Sequence, residues 1–135
     1  MVVKDFYHDI VVRALIKAGW KVPKEQFPLV VANRRLWVDI QAANPLNKMT
    51  LIEVKGFSNP PSPVDYLEEV MGQYVLYQGI IDEYRLNMPL YLAVPLDAIQ
   101  IGILGERIGK IAIHKADIQI IVFDPILEEI LEWKI

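Results

Sequence analysis

The stretch that most constrains this chain runs from Leu36 to Lys55, LWVDIQAANPLNKMTLIEVK. Leu36 to Gln41 and Met49 to Lys55 are strand-like, and Ala42 to Lys48 between them is punctuated by Asn44, Pro45 and Asn47, so the whole reads as an antiparallel ribbon. Facing residues in such a pair have position numbers of constant sum, and a loop centred near Leu46 sets that sum near 92. Asp39 then lies opposite Glu53, and Lys55, two positions further, shares their face. Val38, Ile40, Ile52 and Val54 are expected on the other face, turned to the core.

Facing carboxylates repel each other, and a fold keeps such a pair mainly where a cation shares their charge. Oxygen ligands suit a hard ion such as Mg²⁺, or Mn²⁺ in its place. A bound cation can lower the pKa of water and offset charge developing on a phosphate, while a neighbouring ammonium orients the nucleophile. Asp39 and Glu53 are therefore candidate metal ligands, and Asp39, Glu53 and Lys55 a candidate phosphodiester-cleaving set. A bare D…ExK also recurs by accident as a solvated strand face, so the flanking segments decide how much weight it carries.

Upstream, Lys4 to Ala18 has helical spacing through Phe6, Ile10, Val11 and Ala14, and Gly19 stands where a left-handed residue would cap it. Asp5 and His8 are expected on one face of that helix. Trp20 to Pro28, broken by Pro23 and Pro28, reads as a connector. Leu29 to Ala32 reads as a short strand, and Asn33 to Arg35 as a turn into the ribbon, giving a three-stranded meander.

Downstream, Ser62-Pro63-Val64-Asp65 has the chemistry of a helix start, and the helix runs to about Leu86 with Val64, Leu67, Met71, Tyr74 and Gln78 on one side. Leu90 to Val94 is a near-continuous apolar strand of the kind buried on both faces. Pro95 to Ala116 reads as one or two short helices, the firmer over about Glu106 to Ala116. Ile118 to Phe123 is a strand ended by Asp124-Pro125, and ILEEILEWKI is ambiguous between helix and strand, with a closing hairpin slightly favoured. Strands mixed with crossover helices predict an α/β fold with a central mixed sheet flanked by helices.

A chain of 135 residues has the size of one domain, expected to span 1–135. With 53% apolar and 23% charged residues it is not a disordered chain, and no apolar run approaches the roughly 20 residues of a membrane span. Without cysteines or a secretory leader it is expected to be cytoplasmic. A net charge of −3 and a pI near 5.4 leave no cationic excess for autonomous binding to DNA. The apolar content points to a buried self-interface, hence a homo-oligomer such as a dimer.

The D…E-V-K ribbon between an N-terminal helix and a long helix resembles the PD-(D/E)xK nuclease superfamily, with Val38 where that motif has Pro. Gln73 and Tyr77 in GQYVLYQ match the QxxxY helix motif of its RecB-like members and fall some 18 residues after ExK. At closer range KDFYHDIVVRALIKAGW, LWVDIQA, IEVKGF, GQYVLY, YLAVP and IIVFDP resemble the XisH family, the cyanobacterial element-excision controlling factors. The resemblance implies a restriction-endonuclease-like fold, a role in excising a DNA element during development, and a XisI-type partner protein.

Gln73 thus joins Asp39, Glu53 and Lys55 as a candidate catalytic residue, with Tyr77, Asp5 and His8 as accessory candidates. His8 reads equally well as a helix residue bonded to Asp5 or to the backbone. Arg34, Arg35 and Lys48, at the two ends of the ribbon, are candidate DNA contacts or simply solvated turns. His114 reads as structural, Gly102, Gly105 and Gly109 lack phosphate-loop spacing, and there is no Ser/His/Asp or Cys nucleophile constellation. Two functions remain open: a metal-dependent endonuclease-like protein acting in excision of a DNA element, and a non-catalytic excision-controlling adaptor that binds a XisI-type partner, with or without DNA.

Overall fold

A computed structural model describes residues 5–133. The element order is α1 (His8–Lys17), β1 (Lys21–Val31), β2 (Arg34–Ala43), β3 (Met49–Val54), α2 (Pro63–Glu83), β4 (Leu90–Pro95), α3 (Leu96–Gln100), a 3-10 turn over 103–105, α4 (Arg107–Lys115), β5 (Gln119–Asp124) and β6 (Glu129–Glu132). The six strands form one sheet in sequence order, β1-β2-β3-β4-β5-β6. The first three pair antiparallel, β3-β4 and β4-β5 pair parallel, and β6 closes antiparallel on β5. The sheet is mixed and flanked by helices, as the segment order predicts, and the C-terminal hairpin forms.

Each face of the sheet carries its own core. Val11 and Leu15 of α1 pack with Ile40, Ala42, Ile52, Val54, Tyr91, Ala93, Ile121 and Phe123. On the opposite face, Leu67, Val70, Tyr74, Tyr77 and Ile81 of α2 meet Leu51, Leu90, Leu92 and Val94. Every residue of β4 is buried, because α1 covers one side of it and α2 the other. Each large apolar side chain that the strand buries contributes about 1.5–3 kcal/mol relative to exposure.

Helix ends follow local chemistry. Gly19 adopts φ +90°, the left-handed conformation that glycine takes without a Cβ clash, and Trp20 N–H donates to Leu15 O at 2.9 Å across the α1 terminus. Pro63 is the first residue of α2, where its missing N–H costs no helical bond.

Several expectations need correction. Trp20 to Pro28 is no connector, since Lys21–Val31 is the longest strand. It is the sheet edge, where proline's missing donor is tolerated, and its pairing slips between Lys21 and Lys24, across Pro23. The turn into β2 is Ala32-Asn33, with Ala32 at φ +52°, and Arg34 already pairs with Val31, so Arg34 and Arg35 are strand residues. Helix α1 begins at His8, and Lys4, where the expected helix started, lies outside the described residues; Asp5 precedes the helix, and its carbonyl accepts the His8 N–H at 3.0 Å, so the two side chains are not successive rungs of one helical face. The inner side of α2 runs through Tyr77 and Ile81 and leaves Val64 exposed and Gln78 half-buried. Finally, Val38 packs with the α2 core and not with Ile40, Ile52 and Val54. Inside-outside alternation breaks at Asp39, opposite Gln26, whose φ of +60° departs from strand geometry.

Gly72 and Gly79 lie on the outer side of α2, exposed, and a Cβ added at either would meet nothing within 4 Å. Interior helical glycine costs about 1 kcal/mol relative to alanine. Gly79→Ala is therefore expected to raise the unfolding free energy by about 0.5–1 kcal/mol, read by urea denaturation.

Candidate metal-binding carboxylate pair

The ribbon register follows the arithmetic of the sequence. Ile40 pairs with Ile52, Gln41 with Leu51, Ala42 with Thr50 and Ala43 with Met49, which places Asp39 beside Glu53 one step further on. At that step side chains replace the backbone ladder. Asp39 N–H donates to Glu53 Oε1 at 3.1 Å, and Val54 N–H donates to Asp39 Oδ2 at 2.8 Å. Each carboxyl group is thus pinned through one oxygen by the other strand's backbone.

Both acids are buried, Asp39 at 8% exposure and Glu53 at 6%. Burial disfavours the charged form and raises both above the ordinary carboxylate range, Glu53 to about 8, with the Asp39 charge adding to the rise. Lys55 opposes this. Its ammonium stands 3.6 Å from Glu53 Oε2 and favours ionisation of both acids. Without another cation, burial and the repulsion between the two acids favour protonation of the pair.

The N-terminal segment closes over the carboxyl end of β3. Asp5 Oδ2 accepts Gly56 N–H at 3.2 Å while Asp5 Oδ1 accepts Tyr7 N–H at 2.9 Å. A Cβ on Gly56 would come within 2.6 Å of the Tyr7 ring, so the residue after Lys55 must be glycine for this segment to sit where it does. Asp5 therefore acts as a clamp on the ribbon rather than as a partner of His8. His8, only 1% exposed, places Nε2 2.6 Å from Glu25 Oε1, and its charge bears on Asp39.

From α2, Gln73 Nε2 donates to the Tyr77 hydroxyl at 3.0 Å, and the charges of Glu53 and Asp39 help to hold Tyr77 above its ordinary pKa, after burial itself. The QxxxY pair is thus internally bonded, and its Tyr77 end feels the carboxylates. Tyr66, half-buried on the same helix, also feels Asp5 and Glu53 and went unnoticed in the sequence, as did Glu25. Tyr66 carries no motif, and Glu25 lay in the segment read as a connector.

The basic residues do not gather here. Arg34 and Arg35 start β2 and Lys48 lies beyond its end, roughly 30 Å apart at strand rise. Arg35 stacks over Trp37 at 5.6 Å. A cleft of about 550 Å³ bordered by Tyr7, Phe57 and Ser58 has Asp97 and Glu106 on its walls, so it offers no cationic track either.

The profile of the XisH protein family matches residues 1–131. No match was found among curated proteins. Among solved structures, the chain is similar to an XisH family protein from Nostoc punctiforme PCC 73102, with 26% identity, a TM-score of 0.86 and coverage of 96% of this chain and 98% of that one. It is likewise similar to an fdxN element excision controlling factor protein from Anabaena variabilis, with 27% identity, a TM-score of 0.87 and the same coverage of 96% and 98%. With its profile spanning nearly the whole sequence, the chain belongs to the XisH family.

Proposed function

We propose that this protein acts in excision of a DNA element through a metal-dependent, PD-(D/E)xK-type phosphodiester hydrolase site built on Asp39, Glu53 and Lys55. The observation that carries the reading is the burial of two neighbouring carboxyls, each bonded to the other strand's backbone, beside one lysine, an arrangement that costs stability unless a cation joins it. The donor set fits Mg²⁺ or Mn²⁺. Both ligands are oxygens, and two protein ligands suit Mg²⁺, which keeps several waters of its own.

Asp39 and Glu53 would hold the ion, whose chemistry is to acidify bound water and offset charge on the scissile phosphate. Lys55, beside Glu53, orients the attacking water and lends positive charge. Gln73 fixes the Tyr77 hydroxyl, and Asp5 holds the N-terminal segment against Gly56, so both act as positioning residues. His8 is placed by Glu25 close enough to influence Asp39.

The proposed partners are DNA, a XisI-type protein and a second copy of the chain. The exposed Val75 and Leu76 on the outer side of α2 support a protein interface. Within the described residues no helix is long and apolar enough to cross a membrane. The rival reading, a non-catalytic adaptor, is favoured by the net charge of −3 and by the separation of Arg34 and Arg35 from Lys48. A XisI-type partner that supplies the cationic surface reconciles that charge with catalysis.

The test is plasmid cleavage in Mg²⁺ or Mn²⁺, with and without the XisI-type partner. Cleavage by the parent and at least a 10³-fold loss in Asp39→Ala are expected, since removing a ligand removes the ion. No cleavage in any condition, or equal cleavage by parent and variant, leaves the adaptor reading.

A further inference from the structure

The start of α1 and the edge strand bring together a second set of metal-ligating atoms, distinct from Asp39 and Glu53. One ligand atom each from His8, Asp9 and Glu25 lies within 4.8 Å of the others. His8 differs from an ordinary surface histidine in three ways. Its side chain is 1% exposed, its Nε2 is aimed at Glu25 Oε1 at 2.6 Å, and its Nδ1 is buried without a hydrogen-bond partner. The two carboxylates stand on the solvent side of the ring, Glu25 with its side chain 42% exposed.

We infer that His8, Asp9 and Glu25 form a site for a borderline divalent cation of the Zn²⁺ class. Imidazole nitrogen with carboxylate oxygens selects Zn²⁺, Ni²⁺ or Co²⁺ over Mg²⁺, which favours all-oxygen surroundings such as the Asp39–Glu53 pair. The His8 Nε2–Glu25 Oε1 contact lies along the direction a metal–nitrogen bond would take, so an ion bound there would stand in its place, with the imidazole proton on Nδ1. Ligand atoms around tetrahedral Zn²⁺ stand about 3.3 Å apart, so the widest spacing in the set closes by up to about 1.5 Å and the 2.6 Å contact between His8 and Glu25 opens slightly, adjustments within reach of the exposed Asp9 and Glu25 side chains. The ion pins the first turn of α1 to β1. The three ligands include neither Asp39 nor Glu53, so the site is separate from the carboxylate pair.

The inference does not depend on catalysis and is tested where the first site has been weakened. In an Asp39→Asn background, Zn²⁺ titrated by calorimetry is expected to bind one ion per chain and to shift the imidazole NMR signals of His8 while leaving those of His114 in place. Adding Glu25→Gln is expected to weaken binding at least tenfold. Because Glu25 is partly exposed, that variant keeps the test valid even if His8→Gln fails to fold. No Zn²⁺ binding in the Asp39→Asn protein, affinity within about twofold after Glu25→Gln, or movement of the His114 signals instead overturns the site. Absence of Mg²⁺-dependent cleavage would count against the proposed hydrolase and leave these outcomes untouched.

Discussion

Lys55→Ala is expected to lower metal-dependent DNA cleavage by about 10²- to 10⁴-fold while leaving divalent-cation binding within about twofold of the parent at pH 9. An ammonium has no lone pair and is not a ligand, so its contribution lies in orienting water and in charge at the phosphate. Lys55 is only 23% exposed and sits 3.6 Å from Glu53, which gives it a fixed place beside the ion without a share in holding it. The pH matters. The Lys55 charge favours ionisation of both acids, so its removal raises their proton affinity, and at neutral pH protons would compete with the metal. Cleavage rates and calorimetric affinities of parent and variant, both at pH 9, separate the two effects. An undiminished rate in Lys55→Ala would remove lysine from the mechanism.

Glu53→Gln is expected to stabilise the metal-free protein at pH 8 by about 2–4 kcal/mol while matching it within about 1 kcal/mol at pH 5. The sign follows from linkage. Glu53 titrates near 8 when folded, against an ordinary 4.5, so between these values the folded chain holds a proton that the unfolded chain has released. Stability of the parent therefore falls as pH rises from about 4.5 to 8 and levels off above. Asp39 is shifted in the same direction by burial and deepens the fall. Glutamine cannot ionise, so this slope is largely lost in the variant, and the side-chain carbonyl of the introduced glutamine can still accept the Asp39 N–H. Urea denaturation in EDTA at pH 5, 6.5 and 8 reads the effect. A parent whose stability is flat or rises over that range would show that the two acids are not buried as a protonated pair. A residue whose conversion to an inert isostere stabilises the fold is retained for function rather than for packing.

The site was legible in the sequence because β-structure makes side-chain direction a matter of parity. Two turn-forming asparagines located the loop, the loop set the sum, and Ile40 facing Ile52 puts Asp39 beside Glu53 as the arithmetic requires. The same parity misled at Val38, because alternation holds only while backbone dihedrals stay in the strand region, and Gln26 at φ +60° stands opposite the break. Proline misled for a related reason. Pro23 and Pro28 argue against a strand only if both its edges are paired, and the place of β1 at the sheet margin is a tertiary fact.

Reading Trp20 to Pro28 as a connector meant losing Glu25, and with it the reason His8 can be buried: its imidazole reaches across to the edge strand. The Asp5 clamp was equally out of reach, because its partner is the Gly56 backbone, fifty-one residues away and without any side-chain signal. By contrast, α2 was legible from Ser62-Pro63 onward. Its inner face was misjudged at Val64 and Gln78 because residues of similar apolarity occupy both sides, as exposed Val75 and Leu76 show beside buried Val70 and Tyr77.

The central claim is that Asp39 and Glu53 hold a divalent cation in place of a proton. It is tested most directly by titrating Mg²⁺ into the metal-free protein at pH 7 by calorimetry, in two buffers of different ionisation enthalpy, alongside Asp39→Asn. Binding by the parent with release of about one proton per ion, and affinity at least about tenfold weaker in the variant, is the predicted result. Equal affinity in parent and variant, or binding without proton release, would contradict it.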